Sequence, residues 1–183
     1  MWDLLKNRWK QGYRTISISP PSLEGRGRGE GEIVLARKLD ERMRQLFGRS
    51  LKLRAVSAGS CNGCDLELQA LNNVIFDLSR FGIQFVASPR HADGLVVTGP
   101  VTRNMALALK KTYEAVAAPK LVIAVGAWAI NGGPVEGCSE TLGGAASTVP
   151  VDLYISGCPP HPLVLLEGFL KLLGRLTEVG VNA

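Results

Sequence analysis

From residue 51 onward the chain alternates between two hydrophobic periods, and that alternation limits the folds open to it. Short apolar runs occur at Leu51–Ala58, Ile83–Ala87, Gly94–Thr98, Lys120–Val125 and Asp152–Ile155. They have the length and composition of strands buried on both faces. Between and after them, residues 64–79, Asn104–Ala117 and Pro162–Leu176 repeat their apolar positions at helical spacing, with Pro162 in the first turn of the last. In 64–79 the apolar positions are Leu66, Leu68, Leu71, Ile75 and Leu78. Strands and helices in this order predict a parallel sheet covered on both faces. The expected fold class is α/β, a flavodoxin-like doubly wound parallel sheet, and a hydrophobic content of 46% is enough to build its core.

Residues 1–50 read differently, as a basic N-terminal arm ahead of an α/β domain spanning 51–183. Residues 1–54 hold 13 of the 21 Lys and Arg but only 6 of the 16 Asp and Glu, so the formal charge of +5 originates there. A basic arm predicts contact with a partner, an anionic membrane surface or nucleic acid, set against plain solvation. No nucleic-acid-binding module is recognisable, and aromatics are few, so nucleic acid is the weakest of these readings. Within the arm, Trp2, Leu4, Leu5 and Trp9 lie among Lys6, Arg8, Lys10 and Arg14, which suits a short interfacial helix or a frayed terminus. Residues 18–32, rich in Pro, Gly and charge, read as a linker, and 33–49 as a second amphipathic helix ending at Gly48.

The longest apolar stretch, residues 121–130, is interrupted by Gly126 and falls short of the roughly 18–20 residues that span a bilayer. The first residues lack the apolar region and cleavage site of a signal peptide. The expectation is an intracellular protein with reduced thiols. Its four cysteines then read as metal ligands or catalytic groups rather than as two disulfides.

Each of those cysteines follows the end of an expected strand. Cys61 and Cys64 follow Leu51–Ala58, Cys138 lies in the glycine-rich stretch after Lys120–Val125, and Cys158 follows Asp152–Ile155. In open α/β sheets ligands bind outside the carboxyl ends of the strands, so the four are expected at one rim. C-x-x-C at a helix start offers two thiolates and nearby amide donors. Gly59 and Gly63 are expected to let the backbone come close, and Gly157 with Pro159-Pro160 to shape a rigid turn around Cys158. A structural zinc pair and a thioredoxin-like redox pair remain open on this spacing alone.

The runs GSCNGCDLE (59–67), RFGIQFVASPRHADGLVVTGPVTRNM (80–105), NGGP (131–134) and PVDLYISGCPPHP (150–162) together resemble the small-subunit family of nickel–iron hydrogenases and the 20 kDa subunit of complex I. The resemblance covers about residues 53–175. C-N-G-C-D-L-E is similar to the membrane-bound, energy-converting hydrogenases, formate hydrogenlyase among them; complex I subunits typically carry two adjacent cysteines there. The resemblance implies one proximal 4Fe–4S cluster with four cysteine ligands. Cys61, Cys64 and Cys158 match three of them. At the family's third position this chain has Trp128, in Gly126-Ala127-Trp128, and Cys138 stands ten residues further on as the substitute.

Glu67 matches a family glutamate near the cluster, with a possible proton route as its role and a solvent-facing helix residue as the plain alternative. Arg90 and His91 fall in a loop that the family places near the cluster. His161 reads as a sulfur contact, a partner contact or an ordinary turn residue, and Asp152 as orienting the final loop. The function implied is an electron-transfer subunit of an oxidoreductase complex of the hydrogenase type. Its partners would be a large subunit holding the active-site metal, a ferredoxin-like cluster subunit and membrane subunits, with the chain peripheral on the inner face of the cell membrane. A complex I-like quinone oxidoreductase subunit and a cluster-less docking module are the other readings.

Overall fold

The computed structural model describes residues 50–180. The arm expected at 1–50, with its two helices and linker, lies outside the described residues apart from Ser50. The domain contains five strands, β1 (Leu51–Ser57), β2 (Ile83–Phe85), β3 (Gly94–Thr98), β4 (Leu121–Val125) and β5 (Leu153–Ile155). Four α-helices accompany them: α1 (Gly63–Ala70), α2 (Arg103–Ala115), α3 (Ala127–Asn131) and α4 (Pro162–Gly180). All strand pairs are parallel, in the order β2-β1-β3-β4-β5. The chain leaves β1 for the edge strand β2 and returns to the other side of β1, which makes the β1/β3 boundary the switch point of a doubly wound, flavodoxin-like sheet.

Alternate residues along each strand feed two cores. Leu53, Val96, Ile123, Val125, Leu153 and Ile155 face one layer, filled by Leu68 and Leu71 near α1 and by Leu165, Leu166, Phe169 and Leu172 of α4. Leu95, Val97, Val122, Ala124 and Tyr154 face the other, filled by Leu109 of α2 and Ala129 of α3. Burial on both faces explains why β3 and β4 read as continuous apolar runs rather than as an alternation.

The helix expected over 64–79 is shorter. It stops at Ala70, and the chain turns through Asn72-Asn73 to a 3-10 turn at Leu78–Phe81. Asn73 ends it chemically: its side-chain oxygen accepts the N–H of Ile75 (2.9 Å) and of Phe76 (3.0 Å), an offer that competes with helical bonding. Leu71 and Leu78 still fill the core, while Leu66, Val74 and Ile75 are exposed. The helical period is thus kept by residues that are only partly helical.

At the start of the strands, two aspartates stitch neighbours together by the same device. Asp93, just before β3, accepts the Lys52 N–H at 2.9 Å while its own N–H donates to the Lys52 carbonyl at 2.6 Å. Asp152, just before β5, does so with Val122, at 2.9 and 2.8 Å. Asp152 therefore orients the beginning of β5 rather than the loop after it. Nearby, Lys120 closes α2, its Nζ donating to the carbonyls of Tyr113 (2.6 Å) and Val116 (3.1 Å) and lying 4.0 Å from the centre of the Tyr113 ring.

Asp152→Ala should lower stability by about 1–3 kcal/mol, because a half-buried N–H loses a charged acceptor; urea unfolding would measure it. Burial, and then the charge of Asp152, raise the Tyr113 phenol above its ordinary value of 10.0. Since the folded value is the raised one, the neutral phenol's contribution is complete below the unfolded value and is lost as pH climbs through the folded value. Alkaline denaturation curves of the Tyr113→Phe protein should therefore fall less steeply above pH ~10 than those of the parent.

Candidate metal centre

Three loops meet above the carboxyl ends of the strands. The first runs from β1 to α1 and carries Cys61 and Cys64. Asn62, between them, adopts a left-handed conformation (φ 71°) that asparagine tolerates, and its carbonyl accepts the Leu66 N–H at 3.0 Å to start α1. The second is the β4–α3 junction. Gly126 donates its N–H to Ile155 (2.9 Å), and Ala127 to the carbonyl of Gly157 (2.8 Å). That ties the second loop to the third, which follows β5 and carries Cys158. Pro159, next to Cys158, stands against Gly63: a Cβ on that glycine would lie 3.9 Å from Pro159 and 3.6 Å from Cys61 Sγ.

Gly126 is where these loops touch most closely. Its φ is +89°, and a Cβ there would fall 2.4 Å from Cys64 Sγ. The sulfur occupies the room a side chain would need, and only glycine leaves it. At Gly63 an added Cβ would make ordinary contact, so space is not what requires glycine there. Gly59 packs on Thr102, and Gly157 on Pro160.

The electrostatics agree with the packing. The Cys64 thiol is pushed up to about 11, by its burial first and then by the charges of Cys158, Cys61 and Asp65. Cys61 and Cys158 are exposed, and Cys64 is half-buried against the core. The structure thus brings Cys61, Cys64 and Cys158 to one place. Among the described residues no three His, Cys, Asp or Glu side chains stand as ligands around a single metal ion.

Cys138 is exposed on a separate loop. Its N–H donates to Val135 and its carbonyl accepts the Thr141 N–H, both at 3.1 Å. The loop is sewn to the start of α2: Arg103 N–H to Glu140 (3.0 Å), Leu142 N–H to Val101 (2.9 Å), and the Arg103 side chain to the Ser139 carbonyl. Residues 99–102 in turn abut the Cys61 loop, through Gly99 against Ser60 and Thr102 against Gly59. Cys138 is therefore one layer removed from the other three. Trp128 turns its indole onto Gly133, where a Cβ would lie 2.6 Å from the ring.

Glu67 lies one helical turn beyond Cys64 and is partly exposed. His161 uses Nδ1 to accept the Leu163 N–H (3.2 Å) and stacks edge-on with Phe76 at 6.2 Å. Arg90 and His91 are exposed on a 3-10 turn shortly ahead of Asp93, near the opposite end of the sheet from the cysteines. The cysteine motif does not single out Asp65, yet its carboxylate binds the hydroxyls of Ser57, Ser60 and Thr98. The available signals are an acidic residue in the first turn of α1 and a threonine ending the apolar run GLVVT.

Gly126→Ala should push Cys64 Sγ out of place and strain a left-handed backbone position by about 1–3 kcal/mol. The melting temperature of the isolated chain, followed by circular dichroism, should fall.

The family of the NADH ubiquinone oxidoreductase 20 Kd subunit matches residues 61–172. The chain is 40% identical over 146 residues to the probable membrane-bound hydrogenase subunit mbhJ of Pyrococcus furiosus, covering 78% of this chain and 87% of that one. It is 43% identical over 144 residues to an NADH-quinone oxidoreductase subunit of Phocaeicola vulgatus, covering 78% and 71%. With formate hydrogenlyase subunit 7 of Escherichia coli it shares 43% over 130 residues, 71% of this chain and 51% of that protein. Among solved structures it is similar to a chain of the membrane-bound sulfane sulfur reductase, an archaeal respiratory membrane complex, with a TM-score of 0.64, 33% identity and coverage of 77% and 76%. The matched segment contains all four cysteines and the three loops that gather Cys61, Cys64 and Cys158, and the chain belongs to the 20 kDa subunit family of NADH ubiquinone oxidoreductase.

Proposed function

We propose that the chain is the electron-transfer subunit of a membrane-associated, hydrogenase-type complex and holds one 4Fe–4S cluster. The observation that carries this reading is the convergence of Cys61, Cys64 and Cys158 around Gly126, whose missing side chain leaves the sulfur of Cys64 its place. Three cysteines at one rim, two of them in a C-x-x-C turn at a helix start, are the donor type that iron–sulfur clusters take.

When bound, such a cluster accepts and releases single electrons. The chain's own part is to hold and tune it. Cys61, Cys64 and Cys158 would supply three thiolates. Cys138, the one cysteine left in the sequence, would have to reach them to supply the fourth. The backbone N–H of Cys64 favours the charged form of its own sulfur. Trp128 cannot ligate iron and packs away on Gly133. Glu67, one turn from Cys64, would be the group to carry a proton path to a partner.

No helix among the described residues is long and apolar enough to cross a membrane. Attachment to the inner face of the cell membrane would then run through partner subunits, in keeping with relatives named for membrane-bound complexes. Those partners are a large subunit with the active-site metal, a ferredoxin-like subunit and membrane subunits. The C-N-G-C spacing favours the hydrogenase branch. The similarity to a subunit of NADH-quinone oxidoreductase keeps a quinone-reducing complex as the second reading, and nickel content of the co-purified large subunit separates the two.

The full chain, isolated anaerobically and freed of its partners, should yield about four irons and four sulfides per chain. Cys158→Ser should lose most of that iron. Cys138→Ser should convert the cluster or change its paramagnetic resonance spectrum; an unchanged spectrum removes Cys138 from the ligand set. An iron-free wild-type chain would leave only a docking module.

A further inference from the structure

We propose that Asp65 is the positioning residue of this centre: it fixes the Cys61–Cys64 turn to the sheet and places a negative charge that lowers the reduction potential of the cluster held there. The inference rests on the cluster reading above and deepens it.

Asp65 follows Cys64 directly, in the first turn of α1. A carboxylate at that place ordinarily serves a helix N-terminus from solvent. Here it is claimed by three hydroxyls from three segments. Thr98, the last residue of β3, donates to Oδ1 at 2.7 Å. Ser57, the last residue of β1, donates to Oδ2 at 3.2 Å, and Ser60, in the loop, donates to the same oxygen. Ser60 Oγ also accepts the N–H of Asn62, which stands between the two cysteines, at 3.1 Å. One carboxylate thus ties both strands of the switch point to the turn.

Thr98 gives the arrangement its weight. It is 0% exposed, the one fully buried polar side chain among the described residues. A buried hydroxyl needs a partner, and Asp65 is the partner the structure provides. The bond fixes the carboxylate from beneath and leaves it little freedom to swing away. Its charge is among those felt at Cys64. A fixed negative charge opposes the addition of an electron to a cluster beside it, as net charge and hydrogen bonding around cluster sulfurs are known levers on potential.

The test uses the full chain isolated anaerobically and freed of the subunits that accompany it, so that no partner cluster contributes. Iron and acid-labile sulfide are counted, the midpoint is taken from a dithionite titration in mediator dyes followed by paramagnetic resonance, and iron loss to a chelator is timed. Asp65→Asn should keep its iron but shift the midpoint to more positive potential. Asp65→Glu, which restores the charge on a longer stem, should bring the midpoint back toward wild type. Thr98→Val, which leaves the charge and removes its buried anchor, should lose iron to the chelator several-fold faster. A wild-type midpoint in Asp65→Asn at full iron overturns the inference while the cluster reading stands. Should Asp65→Asn fail to accumulate, an unaltered rate of iron loss in Thr98→Val overturns it instead. A wild-type chain without iron and sulfide removes both.

Discussion

Cys64 Sγ sits where a side chain at position 126 would have to be, and the fold meets this by following β4 with a residue that has none. Much else follows from that contact. It requires the β1 loop to reach across the rim as far as β4, which a parallel sheet allows because all its strands end on one side. It requires α1 to begin at Gly63, immediately after the turn, so that Cys64 is half-buried rather than fully solvated. It also draws in the Cys158 loop, whose Gly157 carbonyl is bonded to the residue after Gly126.

Bringing thiols together in this way has an electrostatic consequence. Partial burial of Cys64, and then the charges of Cys158 and Cys61, oppose its ionisation, so the thiol there holds its proton far above neutrality. A coordinated thiol gives up its proton outright, so the charge state of this rim in the free chain is opposite to the one it would take around the proposed cluster.

Much of this is legible in the residues. Gly94–Thr98 has the same bounds in the sequence pattern and in the sheet, because an apolar run closed by glycine and proline has few other fates. Counting elements alone places the four cysteines after strand ends. The segment 64–79 misleads because its buried positions, Leu68, Leu71 and Leu78, keep helical spacing through a stretch where Asn73 bends the chain. Periodicity reports which residues reach the core, and cannot see a side-chain amide taking over backbone donors. Asp65 and Thr98 are invisible for another reason. They are 33 residues apart and meet only because β1 and β3 are neighbours.

Asp93 and Asp152 lie at the far end of the sheet from the sulfurs, and each fastens one strand to the next, its carboxylate accepting from and its own N–H donating to the neighbour's backbone. The two apolar layers between the ends draw on no cysteine other than the edge of Cys64. The two apolar layers therefore do not rely on anything held at the rim, unlike small metal-folded domains that collapse only around their ion. A vessel built on such layers would, with the proposed cluster as its contents, tolerate late loading by delivery to a folded acceptor, and damage by oxygen would be confined to what it holds.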